Sequence, residues 1–115
     1  YRSMDAPNTQ LKQAILQVLQ DYIDFLGRDP ETQLQIIVDE KNDHYLLTEI
    51  GWQGQRRIYG TLIHCDIIDD KIWIQQDGTE AGIAPELIAL GVDNQQIVLG
   101  FKSVERRQIT DFAVA

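Results

Sequence analysis

The stretch from residue 44 to residue 101 decides the fold, and it reads HYLLTEIGWQGQRRIYGTLIHCDIIDDKIWIQQDGTEAGIAPELIALGVDNQQIVLGF. Apolar residues recur in it with a period of two, which is typical of β-strands. Turn-forming residues interrupt the pattern at Gln53-Gly54-Gln55, at Asp69-Asp70 and at Asp77-Gly78. The stretch therefore predicts strands over residues 45–52, 56–68 and 71–76, joined by tight turns.

Upstream of this stretch the apolar period changes from two to between three and four. Asn8 or Thr9 is suited to cap a helix, and Gly27 is suited to end it, so a helix is predicted over about residues 9–26. After Pro30, alternation returns and predicts a further strand that pairs with residues 45–52 as a hairpin. The apolar helix positions are Leu11, Ile15, Val18, Leu19, Tyr22, Ile23 and Leu26, and the strand positions are Leu34, Ile36 and Val38.

Downstream, a second short helix is predicted to end near Leu90, because Gly91 is a helix-stopping residue. Thr79 is a candidate cap, and Pro85 is a favoured first-turn residue at which the regular part of the helix is expected to start. Residues 97–101 predict a short strand or an extended packing segment. The tail carries three apolar residues expected to dock on the domain, namely Ile109, Phe112 and Val114.

These elements predict an α+β fold with an N-terminal amphipathic helix and an antiparallel sheet of about four strands in meander order. A second short helix and an extended C-terminal segment complete it. A chain of 115 residues has the size of one domain, so a single domain is expected, with residues 1–8 flexible.

The third predicted strand, residues 56–68, carries apolar residues on both faces, whereas a sheet with one solvated face alternates cleanly. Two interpretations follow. A helix covers one face while loops or the C-terminal segment cover the other, or the second face packs against another subunit as a homo-oligomer.

The chain is acidic, with eighteen Asp and Glu against ten Lys and Arg and a formal net charge of −8. Binding to nucleic acid depends on Lys and Arg that displace counterions from phosphates. Direct DNA binding is therefore disfavoured, and a basic protein is the expected kind of partner.

Cys65 is the only cysteine, which excludes an intrachain disulfide and a zinc site rich in cysteine. No signal-peptide pattern and no apolar run long enough to span a bilayer is present. A cytoplasmic protein that does not associate with membranes is expected.

Two groups of residues suggest chemistry, but both have a simpler structural explanation. His64 and Cys65 are adjacent, so on a strand they point to opposite faces and cannot act as base and nucleophile. An acidic group around one hairpin matches no calcium loop, and turn preference explains most of it. No catalytic residue, cofactor or metal is therefore expected. The acidic group comprises Asp66, Asp69, Asp70 and Asp77.

The only basic pairs are Arg56-Arg57 and Arg106-Arg107. Each is a candidate contact for a phosphate or a partner carboxylate, because guanidinium groups form bidentate hydrogen bonds. Ion pairing within the chain or simple solvation is the alternative role. No phosphate loop or catalytic triad accompanies them, so the chain is not expected to be an enzyme.

Four segments resemble the XisI family of fdxN element excision controlling factors: HYLLTEIGW at 44–52, RRIYG at 56–60, IHCDIIDDKIWIQQDGTEAGIA at 63–84, and ELIALGV with IVLGF at 86–101. Two departures are Lys102-Ser103-Val104, where a His-Pro-Pro-like turn is typical, and Pro85. The family motif residues in this chain are Trp73, Gln75, Asp77, Gly78, Thr79, Glu80 and Gly82.

The resemblance implies a cyanobacterial accessory factor for excision of the fdxN element during heterocyst differentiation. In that system a separate recombinase exchanges the strands, and XisI-like proteins act alongside XisH, whose family looks nuclease-like. The resemblance thus implies a regulator that works through an XisH-like partner. Two alternatives remain open: an antitoxin-like inhibitor of that partner, and an accessory factor that binds DNA directly.

Overall fold

Five strands form a single sheet in the order in which they occur along the chain. The structure, a computed structural model, describes residues 2–27 and 29–115, with side-chain surroundings given from residue 8 onward. Among the described residues, no helix is long and apolar enough to cross a bilayer. The elements are α1 (Arg2–Leu26), β1 (Thr32–Asp39), β2 (His44–Gln53), β3 (Arg56–Ile68), β4 (Lys71–Asp77), α2 (Ala84–Ala89), a 3₁₀ turn (Asn94–Gln96), β5 (Ile97–Leu99) and α3 (Val104–Arg107).

Strands β1 to β4 form the predicted antiparallel meander, and β5 adds a fifth strand parallel to β4. The turn between β3 and β4 uses Asp69 and Asp70 at φ 51° and 61°. Two consecutive residues with positive φ are the hairpin geometry that follows the twist of the strands, and Asp tolerates it. The predicted α+β class is confirmed.

Helix α1 covers one face of the sheet, which we call the helix-side face. Its apolar stripe forms one core with side chains from β2, β3 and β4. The apolar side of the helix therefore packs on the apolar side of the sheet. The most buried contributors are Leu11, Ile15, Val18 and Leu19 from α1, with Tyr45, Leu47, Ile63, Cys65, Ile72 and Ile74 from the strands.

The C-terminal segment, residues 104–115, packs against β4 and β5. Arg107 lies over the Trp73 ring at 5.1 Å, and the Ala113 amide donates to the Ile97 carbonyl at 2.9 Å. Of the tail residues expected to dock, Phe112 packs against the core, whereas Ile109 is 86% exposed and Val114 is 37% exposed, so the predictions for Ile109 and Val114 are wrong.

On the opposite face, the part formed by β1, β2 and residues 56–61 of β3 carries exposed side chains, and we call it the open face. Cross-strand pairing places five apolar side chains on it, because partners in a ladder share a face. Coverage by the C-terminal segment is therefore confirmed only for the β4–β5 part of the sheet. The apolar residues of the open face are Ile37, Leu46, Ile50, Trp52 and Tyr59.

Two local predictions, the caps of α1 and of α2, are wrong, and one feature of β3 was not predicted. Helix α1 begins at Arg2 rather than near residue 9, so Asn8 and Thr9 lie within the helix and do not cap it. The N-cap of α2 is Ile83, and Thr79 lies in the preceding loop. A bulge in β3 at Leu62 shifts the register and turns Ile63 toward the helix-side face, which simple alternation does not foresee.

The last prediction about the fold concerns the flexibility of the N-terminal residues. The flexibility expected for residues 1–8 stays a prediction, and residue 1 lies outside the described residues.

Candidate functional site

Two histidines and an aspartate converge on the sheet face away from α1. The β2–β3 register places His44 directly opposite Asp66, and His64 precedes Asp66 by two residues on the same face of β3. His44 Nδ1 lies 2.6 Å and His64 Nε2 lies 2.7 Å from the same carboxylate oxygen, Asp66 Oδ1. The two imidazole rings meet edge to face at 6.1 Å. Pairing of two strands thus builds a His-Asp-His cluster that neither strand contains alone.

Asp66 is the acidic residue that the sheet buries, at 8% exposure. Its second oxygen, Oδ2, accepts a hydrogen bond from Gln75 Nε2 at 3.2 Å. A buried carboxylate is costly unless its oxygens are hydrogen-bonded, and here both are. The cluster opens to solvent on one side, since the His44 side chain is 46% exposed.

The cluster shifts the titration of two of its members. The hydrogen bond to Asp66 raises the pKa of the His44 imidazole above its ordinary value. Burial alone raises the pKa of the Asp66 carboxyl, but the hydrogen bonds from His44 and His64 outweigh burial and hold that pKa below its usual range. The arrangement therefore favours the ionised carboxylate of Asp66 and the protonated form of the His44 imidazole.

Sequence reasoning missed this cluster, although a signal was present. It assigned structural roles to His64 and Cys65, and it grouped Asp66 with turn aspartates. The useful signal was the His-x-Asp spacing of His64 and Asp66, since residues two apart on a strand share a face. The contribution of His44 becomes visible only with the register of the β2–β3 pair.

Cys65 points to the helix-side face, as alternation predicts, and it is fully buried. Burial raises the pKa of its thiol well above the ordinary value. It lies opposite Tyr45 rather than His44. The thiol is therefore a core group, and its cross-strand partner is a tyrosine and not a histidine.

The structure does not bring the acidic group together. Asp69 and Asp70 form the turn at one end of β4, while Asp77 lies at the other end, roughly 20 Å away at 3.3 Å per residue. Asp77 instead organises the loop before α2, because its carboxylate accepts hydrogen bonds from Thr79 and from the Ile83 amide.

The family motif residues mainly shape the chain. Trp73 lies under Arg107, Gln75 holds Asp66, and the Thr79 hydroxyl accepts a hydrogen bond from the Gly82 amide at 3.1 Å. Gly82 has φ 82°, a conformation that favours glycine. Gly78 packs on Leu62, and Glu80 is exposed. Of the motif residues, Gln75 donates a hydrogen bond to the His-Asp-His cluster, and Trp73 is the ladder partner of Asp66 on β4.

The two arginine pairs lie far apart. Arg57 lies over Trp52 at 5.2 Å, and Arg107 lies over Trp73 while donating to the Lys102 and Val114 carbonyls. Trp73 faces Asp66, which is nine residues along β3 from Arg57, so roughly 30 Å separates the pairs. Arg56 and Arg106 are exposed. The pairs do not form one continuous basic patch.

The open face exposes two aromatic side chains and one isoleucine to solvent. Tyr59 is 76% exposed, Trp52 is 51% exposed and Ile37 is 48% exposed. A cavity of about 230 Å³ lies between Ile37, Ile50 and Tyr59. Contiguous exposed apolar groups of this kind are typical of protein interaction surfaces.

A second apolar surface lies at the C-terminal end of α1. Phe25 is 77% exposed and lines a groove of about 540 Å³ with Tyr22, Leu62 and Ala81. Because this groove lies on the helix side of the sheet, one flat partner surface cannot cover it together with the open face.

The model of the XisI protein family matches residues 4–114. The chain belongs to the XisI family. Among solved structures, an XisI-like protein from Anabaena variabilis ATCC 29413 superposes with a TM-score of 0.81 at 40% identity, covering 92% of this chain and 99% of that one. The fdxN element excision controlling factor XisI of the same organism gives a TM-score of 0.81 at 31% identity, covering 95% and 99%. No curated protein sequence matches. The XisI resemblance read from the motif residues is confirmed.

Proposed function

We propose that this XisI-family chain is a non-enzymatic cytoplasmic factor that controls site-specific excision of a DNA element. In this proposal it acts by binding an XisH-like protein in a cyanobacterium that forms heterocysts. The observation that carries the proposed mode of action is the open face. The name of the solved neighbour, an fdxN element excision controlling factor, supports the excision role.

The chemistry of the open face suits a protein partner. Tyr59 and Trp52 are exposed aromatic residues, and Arg57 packs on Trp52 at the rim. Tyr, Trp and Arg are the residue types that contribute most to binding energy at interfaces. The net charge of −8 favours a partner with a basic surface.

A non-enzymatic role is supported by where the reactive groups lie. The Cys65 thiol is buried, and the histidines contact Asp66 rather than a nucleophile. Among the described residues, the hydrogen bonds of both imidazoles go to Asp66, so neither imidazole is paired with a hydroxyl or thiol nucleophile as in covalent catalysis by a nucleophile and a histidine base.

The test mixes the purified chain with the XisH-like protein of its own genome at micromolar concentrations and follows both by size-exclusion chromatography. Co-elution in a defined ratio is expected. Separate elution at every concentration reached would argue against partner binding.

An antitoxin-like role shares this contact and differs in its consequence. Expressing the XisH-like protein with and without this chain distinguishes them. Under the regulatory proposal growth and DNA integrity are the same in both cultures, whereas damage that this chain relieves would favour neutralisation.

Direct DNA binding receives less support, because Arg107 is engaged within the chain and the two arginine pairs are roughly 30 Å apart. We propose that Arg56 and Arg57 contact the protein partner at the rim of the open face, and that DNA is contacted only indirectly. Retardation of element-border DNA at low salt, weakening as salt rises, would restore the direct-binding alternative.

We also propose that the chain self-associates through a free sheet edge. β4 pairs with β3 only from Ile63 onward, so among the described residues no strand pairs with residues 56–61 on the side away from β2. Unpaired strand edges present N–H and C=O groups that another strand satisfies. An antiparallel pairing of this edge with its copy gives a closed, twofold dimer and leaves the open face free.

A further inference from the structure

The His-Asp-His cluster presents three potential metal ligands at one place. The donor atoms of His44, His64 and Asp66 all lie within 4.8 Å of one another. They come from two adjacent strands of a hydrogen-bonded ladder, which fixes their backbone spacing. Sites on strands hold ligands more rigidly than sites on loops.

The role of Asp66 differs from that of three other hydrogen-bonded aspartates. Asp39, Asp77 and Asp93 accept hydrogen bonds from backbone amides, and so they stabilise turns and helix ends. The hydrogen bonds found for Asp66 come from side chains alone, and Asp66 lies within a strand and not in a turn. Turn formation therefore does not explain a buried carboxylate at this position.

Two imidazole nitrogens and one carboxylate oxygen form a distinctive ligand set. Calcium and magnesium prefer oxygen ligands throughout, whereas imidazole suits zinc and its neighbours in the first transition row. Three protein ligands with a fourth position open are the arrangement of zinc sites that keep a water or another ligand. The exposed side of His44 leaves room for that position.

Two of the three distances between ligand atoms, those from the nitrogens to Asp66 Oδ1, are close to the distance that a bound ion requires. Ligand atoms about 2.1 Å from one tetrahedral ion lie roughly 3.4 Å apart. The nitrogens lie 2.6 and 2.7 Å from Asp66 Oδ1, so an opening of about 0.7 Å admits the ion. His44 is half exposed, and its ring has space to make this movement.

Supporting contacts hold the carboxylate in a suitable orientation. Gln75 donates to Asp66 Oδ2 and leaves Oδ1 directed at the histidines. Gly100 makes room for Gln75, since a Cβ at Gly100 would lie 2.7 Å from the Gln75 amide oxygen. Hydrogen bonds to ligating carboxylates are a regular part of metal sites.

We propose that His44, His64 and Asp66 bind one divalent transition-metal ion, zinc in the first place, with a fourth position open to water. This site goes beyond the proposed regulatory function and does not depend on it. It also departs from the expectation of no metal, because that expectation considered the single cysteine and the aspartates but not the two histidines as ligands.

The test strips the full chain with a chelator and titrates it with Zn²⁺ alone by isothermal calorimetry, with Mg²⁺ in parallel. One Zn²⁺ per chain is expected, and Mg²⁺ is expected to give no comparable heat. Replacing Zn²⁺ by Co²⁺ is expected to give the visible absorption of a four- or five-coordinate ion with nitrogen ligands.

Matched variants locate the site. Asp66→Asn and His44→Ala are expected to abolish stoichiometric binding, whereas Asp69→Asn removes one exposed carboxylate nearby and is expected to bind as the wild type. Gln75→Ala is expected to weaken binding about 10- to 100-fold, as loss of a supporting hydrogen bond does at other metal sites.

Circular dichroism of each stripped variant shows whether it is folded, and the half-exposed His44 makes His44→Ala the variant least sensitive to folding. Absence of saturable Zn²⁺ binding at hundred-micromolar concentrations would overturn the proposal. Equal binding by wild type, His44→Ala and Asp66→Asn would overturn it too.

Discussion

Single residues in this chain acquire their roles from the strand face on which they lie. His64, Cys65 and Asp66 are consecutive, yet Cys65 is in the core while its neighbours meet His44 on the other face. The period of two alone sends adjacent side chains to opposite environments. The reactivity of each group therefore follows from its face more than from its neighbours in sequence.

The reactivity of Cys65 tests directly whether the strand face decides the environment of a side chain. Its thiol is fully buried and burial raises its pKa, so neither access nor ionisation favours reaction. We expect no modification of the native protein by a thiol reagent near pH 8, and one thiol per chain modified after unfolding in guanidinium chloride. Equal rates of modification with and without denaturant would show that the β3 core opens readily.

Gly51 and Gly60 both lie within strands and offer a matched pair of substitutions. A Cβ at Gly51 would clash with the backbone carbonyl oxygen of Glu31, and backbone cannot move aside as a flexible side chain does. A Cβ at Gly60 would meet no atom within 4 Å.

We expect Gly51→Ala to lower the free energy of unfolding by about 1–3 kcal/mol, as overpacking does. Gly60→Ala is expected to change it by less than about 0.5 kcal/mol. Urea denaturation of both variants measures the difference. A Gly51→Ala protein as stable as Gly60→Ala would mean that the chain before β1 does not approach β2 as described.

At the level of elements, the helices and strands that carry a long periodic pattern are the ones that can be predicted from the sequence. Helix α1 and strands β1 to β4 each present several turns or repeats of a pattern, so their type and order are predictable. β5 has only three residues, all of them buried, and its parallel pairing with β4 depends on where α2 returns the chain. Too few residues are present to display a period.

The same limit applies to the candidate site. Trp73 and Gln75 were recognisable as motif residues, but their contacts with Arg107 and Asp66 arise from pairing with distant segments. The β3 bulge at Leu62 also shifts the parity of every residue before it relative to those after it. Side-chain convergence across strands therefore needs the register, which the sequence does not display.

The free edge of β3 leads to a prediction about self-association. If the edge pairs with its copy, the amides of residues 56–61 that point away from β2 are hydrogen-bonded, and they exchange with solvent slowly. Hydrogen exchange by NMR is expected to show that protection together with a dimer mass by light scattering. A monomer with rapid exchange at those amides would refute the proposed pairing.

On the scale of the whole molecule, the sheet separates surfaces with different properties. α1 covers the helix-side face, the C-terminal segment packs on β4 and β5, and the open face carries exposed side chains. Phe25 marks a second apolar surface on the helix side. A partner that binds one of these surfaces leaves the other exposed, which makes them separable by mutation.

The most direct test of the account measures the affinity of the XisH-like protein for this chain and three variants by isothermal calorimetry. Tyr59→Glu changes the open face, and Phe25→Glu changes the groove on the helix side. Ile109→Glu is the control, because Ile109 is 86% exposed and lies on neither surface. We predict that Tyr59→Glu weakens binding at least about tenfold, because charge is depleted at interface cores, while Phe25→Glu and Ile109→Glu bind as the wild type. Wild-type affinity in Tyr59→Glu, or loss of binding in Phe25→Glu alone, would contradict the assignment of the open face as the partner surface.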